Sequence, residues 1–292
     1  MHGSDFTDMP AAARSGAICA VAGQAARETQ QWAARYDRLF SAKPFDPTLY
    51  TTVCLCTAFA APWASSAELR MTNRTAIWGF GVDWLIDYVA TSRAEVDGIV
   101  SQCLAVADGA DPADDDLMLS LADIRDGLSA SPAFPALLPV WRDQLARFLH
   151  AMAREWDWRS EGDRPSLATY LDNSDNFGFS FAFLSHWIFT SPPPSGADIA
   201  AVQEASWAAQ RAGRLINDIG TYQRDVEWGD LNALMLGVDR EEIDRQVAEL
   251  TRRFQETTAS LRTGHPRLAH YLERQIDFCV GFYGGTDYWG EL

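Results

Sequence analysis

The order of apolar and polar positions along the chain predicts helices almost everywhere. Segment 11–40 is rich in Ala, Arg and Gln, which favour helices, and it predicts one long helix. The segments that follow repeat their apolar positions every three or four residues. They predict further helices over 47–64, 67–91, 93–108, 115–129, 135–157, 166–189, 197–227, 239–262 and 266–283.

The same pattern sets the fold class. Alternating runs of β-branched residues with hairpin dipeptides are nearly absent, and the chain has neither an internal repeat nor a low-complexity linker. About ten helices with short connections predict an all-α fold, a single-domain antiparallel α-helical bundle over residues 11–292. We expect the polar and acidic residues 1–10 to form a flexible N-terminus.

Composition narrows the classes of function. Apolar residues make up 47% of the 292 residues, which is enough to bury a large core. The 24 Lys and Arg against 40 Asp and Glu give a net charge of −16, so phosphate contacts with a nucleic acid are not expected. A protein this acidic needs cations to bind an anion, which makes a divalent metal site attractive.

Cysteines and apolar runs indicate the compartment. The five cysteines form no CxxC pair, so we expect neither a disulfide framework nor a zinc site, but free thiols in a reducing compartment. The N-terminus is too polar for a signal peptide. The apolar run VCLCTAFAAPWA is too short for a membrane span and contains Pro62, so the sequence predicts no membrane span and a cytoplasmic location.

The stretch NDIGTYQRD at 217–225 carries the strongest candidate chemistry. Asn217, Thr221 and Asp225 recur at intervals of four and therefore share one helix face. An amide, a hydroxyl and a carboxylate form an all-oxygen set that suits Mg²⁺, and the neighbouring Arg224 could reach a phosphate held by the same ion. A solvated helix face accounts for the same spacing, so spacing alone leaves both interpretations open.

The text of this stretch resembles the second metal-binding motif of class I terpene synthases, (N/D)Dxx(S/T)xx(K/R)(D/E). Every defined position fits, with Asp218 in the second place, and the continuation EWGDLNAL is similar too. The resemblance implies the helical bundle of that family over essentially the whole chain. It also implies an isoprenyl diphosphate as the small-molecule substrate and Mg²⁺ as the cofactor, with three ions held between two acidic walls.

The resemblance places the first wall in FGVDWLIDYV at 80–89. Asp83 and Asp87 are four residues apart and share a helix face, beside apolar residues that would make isolated carboxylates costly to bury. The family motif is DDxxD, and Trp84 stands where its second aspartate is expected. The resemblance implies that Asp83 and Asp87 bind metal and that Asp83 is catalytic, together with Asn217 and the residues of its motif. The alternative is two aspartates on a helix surface.

A second acidic segment, DPADDDLMLSLADIRD at 111–126, contains more aspartates. Asp114, Asp115 and Asp116 precede an apolar-periodic stretch, which is typical of a capped helix N-terminus. We therefore assign them to capping. The segment also lacks the DxDD order of protonation-initiated (class II) terpene cyclases, so that activity is not predicted.

Two departures from the family point to a subgroup. Segment 169–183, TYLDNSDNFGFSFAF, has no arginine where most bacterial members have one, and the tail lacks their Arg-Tyr pair. The text YLDNSDNFG is more similar to labdane-related class I diterpene synthases. Diphosphate contacts would then fall to Arg224, with Arg211, Arg214 and Asn173 as weaker candidates.

Aromatic residues, 12% of the chain, are the candidates for lining an apolar cavity in which ring faces stabilise carbocations. The set near the predicted site comprises Trp78, Phe80, Trp84, Phe177, Phe179, Phe181, Phe183, Trp187 and Tyr222. His186 stands in an apolar run without a catalytic signature, and we expect it in the core.

The resemblance implies a Mg²⁺-dependent class I terpene synthase that removes diphosphate from an allylic substrate. The favoured reaction converts a bicyclic C20 diphosphate of the copalyl type into a polycyclic diterpene. Three alternatives stay open: a cyclase of linear farnesyl or geranylgeranyl diphosphate, a chain-coupling prenyltransferase, and a non-catalytic helical module that binds isoprenoids. The sequence also allows a homodimer.

Overall fold

The computed structural model describes residues 9–289, and within this range the chain is helical and contains no β-strand. The first helices are α1 (Ala11–Ala33), α2 (Asp37–Phe40), α3 (Pro47–Ala60), α4 (Ser66–Trp84), α5 (Arg93–Ala107) and α6 (Asp116–Ser129). They are followed by α7 (Phe134–Glu161), α8 (Leu167–Asp172), α9 (Phe179–Thr190), α10 (Gly196–Trp228), α11 (Arg240–Gly264) and α12 (Pro266–Tyr283). The prediction of an all-α fold is confirmed, whereas most of the predicted flexible segment 1–10 lies outside the described residues.

Three predicted helices are interrupted, so those predictions were wrong in extent. Segment 11–40 breaks at 34–36. Segment 166–189 divides into α8, a 3₁₀ turn at Ser174–Phe177 and α9, because Gly178 adopts a left-handed φ of 68° and ends the turn. Segment 67–91 changes at its end from α4 into a π-helical turn, Leu85–Val89. Such turns are frequent at functional sites, and this one includes Asp87.

The acidic segment 111–126 caps a helix, as predicted. Asp115 precedes α6, and its carboxylate accepts hydrogen bonds from the backbone N–H groups of Leu117 (2.9 Å) and Met118 (3.2 Å). Asp114 and Asp116 both form ion pairs with Arg38. These three carboxylates are therefore committed to the start of α6, and none of them lines the cavity described below.

The core brings the ends of several long helices together. Helix α4 packs against α1 and α9, while α10 packs against α11 and α12. His186 is buried and stacks on Tyr271, with 4.7 Å between ring centroids, which confirms its predicted core position. No described helix is long and apolar enough to cross a membrane. All five cysteines are free thiols, and only Cys19 is exposed.

Candidate active site

A cavity of about 230 Å³ lies where the C-terminal ends of α4, α7, α10 and α12 converge. Its charged lining consists of six carboxylates, Asp83, Asp87, Glu155, Asp218, Asp225 and Asp230, and three guanidiniums, Arg159, Arg214 and Arg224. Aromatic rings from Phe80, Phe148, Phe177 and Phe181 line much of the rest. Helix C-termini carry partial negative charge, so the backbone and the side chains both favour cations at this end of the cavity.

The second wall is the face of α10 that carries the motif 217–225. Within this motif, the carboxylate of Asp225 accepts four hydrogen bonds. The Oδ2 atom of Asp225 accepts hydrogen bonds from the hydroxyl of Thr221 (2.7 Å) and the amide of Asn232 (2.8 Å). Its Oδ1 atom accepts two from Arg224, at 2.8 and 3.1 Å. Thr221 and Arg224 of the predicted motif thus both contact Asp225 directly.

Asn217 lies one turn earlier on the same wall and also lines the cavity. Tyr283, at the end of α12, lines the same cavity. Gly220 makes the close approach of α10 and α12 possible, since a Cβ atom there would lie 2.4 Å from the carbonyl oxygen of Tyr283. The absence of a side chain at Gly220 therefore fixes how Asn217 meets α12.

The carboxylate of Asp218 is hydrogen-bonded to residues outside α10. It accepts hydrogen bonds from the hydroxyl of Tyr170 (3.0 Å) and the backbone N–H of Ala233 (3.2 Å), and it lies 3.3 Å from Arg214. Burial raises the pKa of Asp218 to about 7, although Arg214 and these hydrogen bonds oppose the shift. Asp218 therefore ties the wall to the segment that follows α10.

The first wall carries Asp83 in the last turn of α4 and Asp87 in the π-helical turn. Burial raises the pKa of Asp83 to about 7, and the negative charges of Asp230 and Glu155 add to the shift. Burial and the charge of Asp83 likewise raise the pKa of Asp87. Two neighbouring, partly buried carboxyl groups with raised pKa values are the arrangement that a bound cation would stabilise in the charged form.

Arg159, near the end of α7, connects the first wall to the segment that follows α10. Its guanidinium lies 3.1 Å from the carboxylate of Asp87 and 3.2 Å from that of Asp230, and it donates a 2.9 Å hydrogen bond to the Asp87 carbonyl. Asp230 also accepts a 2.8 Å hydrogen bond from the hydroxyl of Tyr88. An internal cation therefore sits between the first wall and the segment after α10.

The weaker diphosphate candidates lie in different surroundings. Arg214 lines the cavity but is engaged by Tyr170 (2.7 Å) and Glu155 (2.9 Å). Arg211 does not line the cavity. Asn173 is buried outside the cavity, where its amide donates to the Ala151 carbonyl at 2.9 Å.

The aromatic candidates divide into two groups. The cavity lining includes Phe80, Phe177, Phe179, Phe181 and Phe183, and it does not include Trp78, Trp84, Trp187 or Tyr222. Trp78 and Trp187 are buried in the hydrophobic core, and Trp84 stacks on Tyr88. Tyr222 is 40% exposed, because it follows Thr221 and so points away from the face of α10 that carries the motif. Contrary to the expectation from the sequence, these four residues lie outside the cavity lining.

Four charged or polar lining residues, Glu155, Arg159, Tyr283 and Tyr288, lie outside every motif singled out in the sequence. Glu155 and Arg159 belong to an amphipathic sequence of α7 without a recognisable motif. They are identified as site residues only by their contacts, Glu155 with Arg214 and Arg159 with Asp87. Tyr283 ends α12 and Tyr288 belongs to the tail, where Asp287, outside the cavity lining, lies 3.2 Å from Arg224. The spacing of four between Glu155 and Arg159 was the one available hint that both face the same side of α7.

The donor set fits magnesium without forming a complete site by itself. In residues 9–289, no group of three or more His, Cys, Asp or Glu side chains is arranged to hold a metal ion alone. The oxygens of Asp83 and Asp87 nevertheless share one cavity with those of Asn217 and Asp225. Oδ1 of Asp87 is buried and accepts no hydrogen bond of acceptable geometry, although the Arg159 guanidinium is near. Mg²⁺ usually completes such sites with water and substrate phosphates.

Comparison with known proteins gives a consistent result. Residues 74–254 match the family model described as terpene synthase family 2, C-terminal metal binding. The chain is 27% identical to the ent-pimara-9(11),15-diene synthase of Streptomyces sp. strain KO-3988 over 278 residues, which is 90% of each protein.

Solved structures resemble the fold. The 2-methylisoborneol synthase of Streptomyces coelicolor A3(2), solved with Mg²⁺ and geranyl-S-thiolodiphosphate, has a TM-score of 0.74 at 17% identity and covers 94% of this chain and 93% of its own. The linalool/nerolidol synthase of Streptomyces clavuligerus, in complex with 2-fluorogeranyl diphosphate, has a TM-score of 0.69 at 14% identity, with coverage of 90% and 97%. At these identities the likeness supports the all-α architecture.

Proposed function

The chain belongs to terpene synthase family 2 and is a class I terpene synthase, and from this premise we propose that it converts a bicyclic C20 diphosphate of the copalyl type into a polycyclic diterpene. The observation that carries the proposal is the single cavity in which Asp83 and Asp87 share the charged end with Asn217 and Asp225. Aromatic rings line much of the remainder, so a charged binding end and an apolar reaction chamber adjoin each other.

Magnesium is the cofactor we propose for the charged end. The ligands would be Asp83, Asp87, Asn217, Thr221 and Asp225, and the substrate diphosphate would complete the coordination of three ions. When bound, Mg²⁺ stabilises the negative charge that develops on the leaving diphosphate. The excess of carboxylates over guanidiniums in the lining supports a requirement for cations, because a diphosphate alone would be repelled.

The side chains of this chain would bind, orient and shield the substrate. Arg224 would donate hydrogen bonds to the diphosphate, since its planar guanidinium suits phosphate oxygens. The allylic C–O bond then breaks, and its electron pair leaves with the diphosphate. Rings such as Phe80 and Phe181 would exclude water and face the carbocation with their negative π surfaces. Loss of a proton to the released diphosphate would end the reaction without a side-chain base.

The choice of a C20 substrate rests on two supports. The 27% identical relative is named as a diterpene synthase, and the likeness extends over 90% of both chains. The text YLDNSDNFG at 170–178 resembles the labdane-related subgroup. A linear substrate is the second candidate, because the 2-methylisoborneol and linalool/nerolidol synthases that share this fold were solved with geranyl-type diphosphate analogues.

A substrate panel tests this proposal. Purified protein with Mg²⁺ is incubated separately with farnesyl, geranylgeranyl and copalyl diphosphate, and hydrocarbons are identified by gas chromatography and mass spectrometry. We expect a polycyclic diterpene from copalyl diphosphate and little product from the linear substrates. Turnover of farnesyl diphosphate alone would replace the C20 assignment with the second candidate.

A further inference from the structure

The guanidinium of Arg159 bridges two carboxylates, and its chemistry also suits a phosphate ligand. Its guanidinium spans from Asp87 on the first wall to Asp230, two residues beyond the end of α10. It therefore lies between the elements that would enclose the diphosphate. A guanidinium held by two carboxylates occupies a place where positive charge is required.

The three arginines of the cavity differ in how firmly they are held. Arg214 is 10% exposed and donates to the hydroxyl of Tyr170, which is buried, and to Glu155. Arg224 is 19% exposed and is paired with Asp225 and Asp287. Arg159 is 24% exposed, the highest fraction of the three.

The contact between Arg159 and the Asp87 carboxylate is ionic rather than directional. Oδ1 of Asp87 lies 3.1 Å from the guanidinium but accepts no well-formed hydrogen bond. Asp230 has a second partner, the hydroxyl of Tyr88 at 2.8 Å. Arg159 can therefore leave both carboxylates without stranding Asp230.

We propose that Arg159 is a further diphosphate-binding residue, which holds Asp87 and Asp230 together in the free protein and passes to the diphosphate when Mg²⁺ neutralises Asp87. The inference rests on the proposed function, since it takes Asp87 as a metal ligand and an allylic diphosphate as the substrate. The exchange replaces one pairing of opposite charges with another, so the acidic cavity stays compensated in both states. The planar fork of the guanidinium can engage two phosphate oxygens at once.

The test measures binding of inorganic diphosphate by isothermal titration calorimetry in the presence of Mg²⁺. We expect Arg159→Gln to weaken binding about tenfold or more, because a charge-assisted, bidentate contact is lost. Arg154→Gln is the matched control, since Arg154 is an exposed arginine on the same helix, and its affinity should equal that of the wild type. Equal affinity of Arg159→Gln and the wild type would overturn the inference.

Arg159→Lys keeps the test decisive if Arg159→Gln does not fold. Lysine retains the charge that compensates Asp87 and Asp230 but lacks the planar fork, so the metal-free melting temperature should stay near the wild-type value. Diphosphate affinity should still fall severalfold, whereas wild-type affinity would contradict a bidentate role. If the wild type itself does not bind diphosphate with Mg²⁺, the proposed function fails, which is distinct from a failure confined to Arg159.

Discussion

At the residue scale, Asn232 is the side chain on which the second wall most depends. It is fully buried, and its amide donates to the Asp225 carboxylate at 2.8 Å and to the Asp218 carbonyl at 2.7 Å. Its oxygen accepts the backbone N–H of Leu234 at 3.0 Å. One amide thus joins two residues of the motif to the segment that follows it.

Replacing Asn232 with Ala should damage both stability and turnover. Three hydrogen bonds are lost, two of them fully buried, so we expect the free energy of unfolding to fall by about 3 kcal/mol. Turnover per folded molecule should also fall, because Asp225 loses a donor that orients it. Denaturant unfolding and steady-state assays measure the two effects, and wild-type values in both would show that Asn232 does not position Asp225.

The burial of His186 predicts how the free energy of unfolding depends on pH. Burial lowers its pKa to about 4, below the ordinary value of about 6.5, so the folded state binds fewer protons than the unfolded state between these values. The corresponding stability is fully present above pH 6.5 and is lost as the pH falls towards 4. The loss should be on the order of 3 kcal/mol over that window.

Substitution of His186 with Phe should remove this contribution while keeping an aromatic ring beside Tyr271. Unfolding free energies measured at pH 7 and pH 4.5 should fall less in the variant than in the wild type. His150→Gln, at an exposed position on α7, should retain the wild-type dependence. An unchanged pH dependence in His186→Phe would show that other groups account for it.

Site residues that belong to a sequence motif could be predicted from the sequence. Site residues that are recognisable only by their neighbours in the folded structure could not. The interval of four placed Asn217, Thr221 and Asp225 on one face, and in the structure Asn217 and Asp225 line the cavity while Thr221 donates a hydrogen bond to Asp225. Arg159 could not be found this way, because its two carboxylate partners lie about 70 residues away in each direction along the chain. Tyr222 was misjudged because proximity in sequence does not give direction on a helix.

At the element scale, the approach of α10 to α12 depends on Gly220. Gly220→Ala would add a Cβ atom 2.4 Å from the Tyr283 carbonyl oxygen and 2.7 Å from the Tyr283 Cβ atom. Backbone atoms cannot yield as a flexible side chain can, so the helices must separate and carry Asn217 with them. We expect lower stability and a large loss of turnover, although alanine favours helices by about 1 kcal/mol.

Gly16→Ala supplies the control for Gly220→Ala. Gly16 lies in α1, and no atom stands within 4 Å of an added Cβ. Helix propensity alone acts there, so the melting temperature should rise slightly and turnover should stay unchanged. If Gly220→Ala behaved like Gly16→Ala in thermal melts and assays, the close approach of α10 and α12 would not matter.

Helix periodicity predicted most elements, and local backbone geometry explains where it failed. The predicted segment 197–227 is observed as Gly196–Trp228, with Ser195 and Asp198 forming a capping box. The break inside 166–189 depends on Gly178 and on the Phe148 ring, 3.2 Å from where a Cβ would stand. A single glycine within a periodic segment does not reveal such a contact with a distant helix.

At the scale of the whole molecule, negative charge and helix direction act together. The chain carries a net charge of −16, and the cavity itself has six carboxylates against three guanidiniums. The C-terminal ends of α4, α7 and α10 meet there and add partial negative charge. We therefore expect a diphosphate to bind at this end only together with cations held between the first wall and α10.

The most direct test is diphosphate release from copalyl diphosphate, measured with Mg²⁺ for the wild type and two aspartate variants. Asp83→Asn removes a carboxylate of the first wall, and Asp114→Asn removes one from the acidic segment that caps α6. We expect release by the wild type, a rate at least about a hundredfold lower for Asp83→Asn, and an unchanged rate for Asp114→Asn. Wild-type release by Asp83→Asn, or no release by the wild type, would contradict a diphosphate site that includes the first wall.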